Sequence, residues 1–162
     1  MNIPVMITFC GHREVLNEIK VYKKLLDALQ GYFSVDDKFS SKLKMVFLCG
    51  GYGRFDGLAA RALDEMRKRY PYTKFRKTYV SPYLMSAKDK NYEYLFSHYD
   101  EIIYLPLENV PPKFAISKRN EWMVNAAEIV IAYVNHSYGG AWATLKYAKR
   151  KRRTIVYIKD DE

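Results

Sequence analysis

Three short stretches of the 162-residue chain combine glycine with cationic or polar residues in patterns suited to holding a phosphate. They are Phe9-Cys10-Gly11-His12-Arg13, Cys49-Gly50-Gly51-Tyr52-Gly53-Arg54-Phe55-Asp56 and Asn135-His136-Ser137-Tyr138-Gly139-Gly140. Glycine lets backbone come close to a ligand, and the unpaired N–H groups at the start of a helix, with the positive end of its dipole, favour an anion. Gly11, His12, Arg13, Gly50, Gly51, Gly53, Arg54, Asp56, Ser137, Gly139 and Gly140 are therefore the candidate ligand-binding residues of these turns. An arginine such as Arg13 offers a planar donor fork that grips phosphate at two points. Asp56 has a second reading, because a carboxylate at the start of a helix can cap backbone N–H groups. His136 falls on the same edge as His12, whereas His98 reads as a surface or packing residue.

Several chemistries lack their signatures. The chain has no GxxxxGK(S/T), and Gly51-Tyr52-Gly53 is not followed by the third glycine of GxGxxG, which argues against a P-loop NTPase and an ordinary dinucleotide-dependent dehydrogenase. GxSxG and HExxH are absent too, and Cys10 and Cys49 stand far apart without metal-ligand spacing, so no metal site, cofactor or disulfide framework is expected. That cysteine usage fits a reducing cytoplasm.

The elements that must position the turns follow from periodicity. Ile3 to Cys10, Lys44 to Cys49, Glu101 to Pro106, Glu128 to Val134 and Thr154 to Ile158 are short apolar runs bounded by Gly, Pro or charge, as buried strands are, and Lys74 to Val80 is a weaker strand signal. Leu16, Ile19, Tyr22, Leu26 and Leu29 recur at helical spacing, as do Leu58, Ala62 and Met66 beside Phe55, Ala59 and Leu63. Strands alternating with helices require crossovers, which make the strands parallel and put helices on both faces. The expected fold is a Rossmann-like α/β sandwich with its ligand edge at the C-terminal ends of the strands. Val80 to Asn91 and Leu107 to Ser117 read as loops from their Pro, Ser and Lys content. Tyr92, Tyr94, Tyr99 and Tyr104 cluster around the fourth strand as packing residues, with one or two free to stack on a base.

The length suits one domain over residues 1–162, and 49% hydrophobic residues exclude intrinsic disorder. No apolar run is long enough to span a bilayer, and Met1 to Cys10 has no basic leader, so neither a membrane nor a secreted protein is expected. A formal net charge of +9 points to an anionic partner, either a phosphorylated small molecule or nucleic acid. Much of it lies in Lys149, Arg150, Lys151, Arg152 and Arg153, which also read as the solvated end of a helix.

The same turns resemble those of the SLOG superfamily, which groups the DNA-processing Smf proteins with the LONELY GUY phosphoribohydrolases, and within it the YpsA-like branch. Thr8-Phe9-Cys10-Gly11-His12-Arg13 is similar to its first-strand TGHR signature, and Cys49 to Ala60 to its glycine turn and small-residue helix, with Arg54 in place of the middle glycine. Ser117-Lys118-Arg119-Asn120-Glu121-Trp122-Met123-Val124 resembles its RNxxMV helix, and Ile131 through Ala148 its last motif. The resemblance implies a nucleotide or nucleotide-derived ligand, and it adds Arg119 and Asn120 to Gly11, Arg13, Gly50, Gly51, Asp56, Gly139 and Gly140 as the residues that hold it. Trp122 and Met123 read as core.

One position departs from the enzymes of that superfamily. Their GGxGTxxE motif places an acid where this chain has Lys146. Cleavage of an N-glycosidic bond builds positive charge on the sugar, which a carboxylate stabilises and an ammonium opposes. The leading expectation is thus a nucleotide-binding sensor or sequestering protein, monomeric or a homo-oligomer. The alternatives are a nucleotide N-glycosidase that draws its acid from Glu121 or Asp56, and single-stranded nucleic-acid binding of the Smf kind.

Overall fold

The computed structural model describes residues 3–160, which alternate strand and helix from end to end. In chain order the elements are β1 (Val5–Gly11), α1 (Glu18–Gln30), a 3₁₀ turn (Val35–Phe39), β2 (Leu43–Cys49), α2 (Gly53–Arg69), β3 (Lys74–Ser81), α3 (Tyr92–His98), β4 (Glu101–Tyr104), α4 (Pro112–Ala126), β5 (Ile129–Tyr133), α5 (Gly139–Arg150) and β6 (Thr154–Tyr157). All six strands are parallel, in the order β4-β3-β2-β1-β5-β6. The fold is the expected Rossmann-like sandwich. No helix among the described residues is long and apolar enough to cross a membrane.

Side chains alternate across each strand, so the sheet feeds two cores. Ile7, Phe9, Phe47, Cys49, Ile131 and Tyr133 meet α1 and α2 on one face. Cys10, Val130 and Ala132 meet Val124 of α4 and Leu145 and Ala148 of α5 on the other, where Val46 and Leu48 lie beside Met123. Phe33, Phe47 and Phe75 stack and abut edge-on, the geometry aromatic rings prefer. On α2 the buried residues are Phe55, Leu58, Ala59, Ala62, Leu63 and Met66, as their spacing predicts.

Three elements differ from the reading of the sequence. In α1 the buried face is Val21, Leu25, Leu26 and Leu29, while Leu16 and Ile19 are exposed. Asn17 caps the helix by accepting the Lys20 N–H, which starts it after Leu16 and turns Ile19 outward. The segment Leu107 to Ser117 is only half loop, because Pro112 occupies the first turn of α4, where its missing N–H costs nothing. Finally, β3 is a full eight-residue strand despite its charges. Its Lys77 is buried with its ammonium 3.1 Å from Asp64 and 4.6 Å from the centre of the Tyr99 ring. A buried ammonium is tolerable only with such partners.

Two side chains fasten the edge at which β1 and β2 end. Arg119 of α4 is 2% exposed and donates from Nη1 to the carbonyls of Gly50 at 2.7 Å and Val80 at 3.4 Å, which ties α4 to the ends of β2 and β3. Phe55, fully buried in the first turn of α2, lies against Gly11 so closely that an added Cβ there would sit 2.2 Å from its ring.

Both ties yield stability predictions, measured by urea denaturation of the variants. Gly11→Ala should lose about 1–3 kcal/mol by overpacking, whereas Gly57→Ala, on open helix surface, should gain about 0.5–1 kcal/mol. Arg119→Ala should lose about 3 kcal/mol, because it strands two carbonyls and opens a void, and Arg119→Lys should recover little because an ammonium lacks the planar fork.

Candidate functional site

Strand order reverses between β1 and β5, and the turns that follow these two strands diverge above the sheet. In open parallel sheets that divergence is where ligands enter. Here it opens a cleft of about 480 Å³ between the β1 turn, the start of α2, α4 and the start of α5.

The structure brings eight of the sequence-derived candidates to its lining: Gly11, His12, Arg13, Asp56, Arg119, Asn120, Gly139 and Gly140. Gly50, Gly51, Gly53, Arg54 and Ser137 lie outside it. Glu121 is exposed on α4, Lys146 is exposed on α5 with its ammonium 5.4 Å from the Trp142 ring, and neither lines the cleft. Tyr52, His136, Tyr138 and Thr144 join the lining.

The two longer glycine turns are built for different purposes. After β2, Gly51 and Gly53 adopt positive φ, and a Cβ would strike the Tyr79 ring at the first and the Arg13 backbone at the second. Arg54 N–H donates to the Arg13 carbonyl at 2.9 Å, and the Arg54 guanidinium pairs with Glu18 at 2.5 Å. Tyr52 N–H donates to Asp56 Oδ2 at 3.0 Å, so the donors around this helix start are partly taken by the protein itself. The β5 turn is the reverse. Gly139 has φ of 89°, open space surrounds both Gly139 and Gly140, and no side chain caps the first turn of α5. Gly139, Gly140 and Ala141 line the cleft, and no side-chain acceptor competes for the N–H groups of this turn.

The polar groups around that opening have distinct states. Burial pushes the Asp56 carboxyl up to about 7, against the opposing pull of the Tyr52 N–H and the Arg119 charge. Asp56 thus holds its proton to far higher pH than an exposed carboxylate does. Asn120 Oδ1 accepts from Arg119 Nε at 3.3 Å and Nη2 at 3.1 Å, which leaves its amide N–H groups for the cleft. Arg13 makes no ion pair among the described residues. Cys10 Sγ donates to the Ala141 carbonyl at 3.2 Å, and burial pushes its thiol up to about 12, so it stays protonated and is no nucleophile.

Three rings form a ladder along the mouth. His12 stacks on His136 with centroids 3.5 Å apart, and His136 stacks on Tyr138 at 3.9 Å. Asn135 N–H donates to His12 Nε2 at 3.1 Å, which places the proton of a neutral His12 on Nδ1. Burial, followed by the His136 charge, lowers the pKa of His12 and keeps that ring neutral. Tyr138 is 70% exposed, so the outer face of the ladder is free. Only the run His136-Ser137-Tyr138 hinted at it, since alternating residues of an extended turn share a side.

No family model matches the sequence, and no curated protein matches it. Solved structures do. DNA processing protein A from Helicobacter pylori, for which a single-stranded DNA binding mode is described, superposes with a TM-score of 0.63 at 15% identity, over 95% of this chain and 65% of that one. DNA processing protein A from Streptococcus pneumoniae gives a TM-score of 0.67 at 16% identity, over 95% of this chain and 50% of that one. The chain therefore spans between half and two thirds of the length of these neighbours. At such identities the likeness is one of fold, and the chain shares the Rossmann-like α/β fold of the DNA processing A proteins.

Proposed function

We propose that residues 1–162 form one SLOG-type domain whose cleft binds single-stranded nucleic acid, with a phosphate at the start of α5 and a base on Tyr138. The observation that carries this reading is the uncapped first turn of α5, opening into the cleft beside an exposed ring. Helix N–H groups suit a phosphodiester, and a stacked base is sequence-tolerant because every base has a π-face. Support comes also from the fold shared with proteins of which one has a described single-stranded DNA binding mode. Those neighbours belong to the DNA-processing side of the superfamily rather than to the YpsA-like branch.

Gly11 then shapes the cleft, Gly50, Gly51 and Gly53 fold the neighbouring turn that carries Tyr52, Arg119 positions that turn, and Arg13, Asn120, Gly139 and Gly140 meet the strand. A second reading, a single free nucleotide held as a signal, is favoured by the cleft volume, which lies within the range of small-molecule sites. Ionic strength separates the two. A strand that neutralises Z protein cations loses affinity with a log–log slope of about −0.7Z, whereas one nucleotide shows a shallow slope.

Anisotropy titration of a labelled oligothymidylate should give a steep slope, and saturation only by mononucleotides would select the second reading. Tyr138→Ala, which exposes no core, should weaken the strand by about 1–3 kcal/mol at unchanged thermal stability. The Asp56 carboxyl, raised to about 7, is neutral below that pH and anionic above it, where it repels phosphate. Affinity should therefore fall as pH climbs through 7, and Asp56→Asn should flatten the profile and tighten binding at high pH by on the order of 1 kcal/mol. A phosphodiester does not titrate there, so a wild-type slope retained in Asp56→Asn would refute the assignment.

A further inference from the structure

The exposed surface of α5 carries cations that nothing in the fold matches. Between Glu128 and Asp160 the chain has no acidic residue, yet it holds Lys146, Lys149, Arg150, Lys151, Arg152, Arg153 and Lys159. Six cations elsewhere in the fold, Lys44, Arg54, Arg67, Arg69, Arg76 and Lys77, each pair with a carboxylate. Among the described residues none of the cations of α5 and of the segment after it does so. Arg153 alone has a structural task, donating to the carbonyls of Val124 and Asn125 at 3.1 and 3.0 Å.

These cations are also held in place. Lys146 lies over Trp142 at 5.4 Å, Arg150 and Lys151 over Tyr147 at 5.2 and 5.5 Å, and Lys149 over Tyr157 at 6.0 Å. A cation resting on a ring keeps its outer hemisphere free for an anion while its stem is ordered. Two of them continue one face of the helix. Gly139, Ala143, Lys146 and Arg150 recur at the spacing of one helix face, and all are exposed. That face begins at Gly139, in the lining of the cleft, and runs the length of a twelve-residue helix, about 18 Å at about 1.5 Å per residue.

The geometry points to a second segment of the nucleic-acid site: a basic, aromatic-backed track along α5 that takes the sugar–phosphate backbone as it leaves the cleft, with Lys146, Lys149, Arg150 and Lys151 as its phosphate contacts. This inference rests on the single-strand reading of the cleft. It makes the cleft the place where a short segment of the strand is seated and the track the source of affinity that grows with strand length. A solvated helix end would be just as basic but would give no length dependence.

The test compares labelled thymidine trinucleotide, which fills the cleft alone, with an oligothymidylate long enough to cover cleft and helix, each titrated at several salt concentrations. Wild-type protein should bind the longer strand at least tenfold more tightly. The variant with Lys146, Lys149, Arg150 and Lys151 all changed to Gln should lose most of that gain, keep its affinity for the trinucleotide, and show a salt slope shallower by up to about 3. A Lys146→Arg, Lys149→Arg, Lys151→Arg protein, with charge preserved, should behave as wild type. Length dependence and slope unchanged in the Gln variant would overturn the track while leaving the cleft intact, and so would a parallel loss of trinucleotide binding. If wild-type protein binds neither strand, the reading of the cleft fails and the track with it. If vesicles of anionic phospholipid bind as tightly as the longer strand and lose binding in the same variant, the surface is a membrane contact and the proposal is wrong.

Discussion

A guanidinium leaves water only if oxygen atoms surround it, and Arg119 meets that condition by reaching from α4 to the main chain at the ends of β2 and β3. The Gly50 turn can lie flat against α4 because a carbonyl there has a partner and because glycine leaves room for the guanidinium, which would stand 3.1 Å from an added Cβ. Tyr52 then covers Arg119, its ring 5.0 Å from the guanidinium carbon. Asp56, capping Tyr52, feels the Arg119 charge through the same arrangement. One buried cation thus fixes the turn, the start of α2 and the electrostatics of the cleft floor.

The other wall obeys a different logic. The β5 turn has no buried cation beneath it and no capping side chain, and its organisation comes from ring stacking and from the Cys10 thiol bonded to the Ala141 carbonyl. A site with one rigid, self-satisfied wall and one wall of unmatched donors has a direction: anions are drawn toward α5 and away from Asp56.

Much of this could be read from residue types in order. Parallel topology followed from alternating elements, and the meeting of the Gly11 and Gly139 turns on one edge followed from topology. What escaped the sequence has definite physical causes. The strand β3 was faint because Lys77 is charged, and its burial depends on Asp64 and Tyr99, partners that only the fold supplies. Leu16 and Ile19 matched the period of α1 but lie outside its buried arc, since a cap at Asn17 sets where the helix starts. Arg119 and Gly50 were legible as a pair of important residues, but a motif cannot say whether an arginine grips a ligand or a carbonyl. The ladder of His12, His136 and Tyr138 joins residues more than a hundred positions apart, and the alternation in His136-Ser137-Tyr138 pointed to only half of it.

The bond from Asn135 N–H to His12 Nε2, with the His12 N–H bonded in turn to the Tyr133 carbonyl at 3.3 Å, has a bearing on how a ligand would be received. These two bonds lace the β1 and β5 turns into a single body before anything enters between them. A mouth that is already ordered spares a ligand the loss of conformational entropy that loop closure would impose. Capture at such a mouth is limited by diffusion and charge rather than by a folding step.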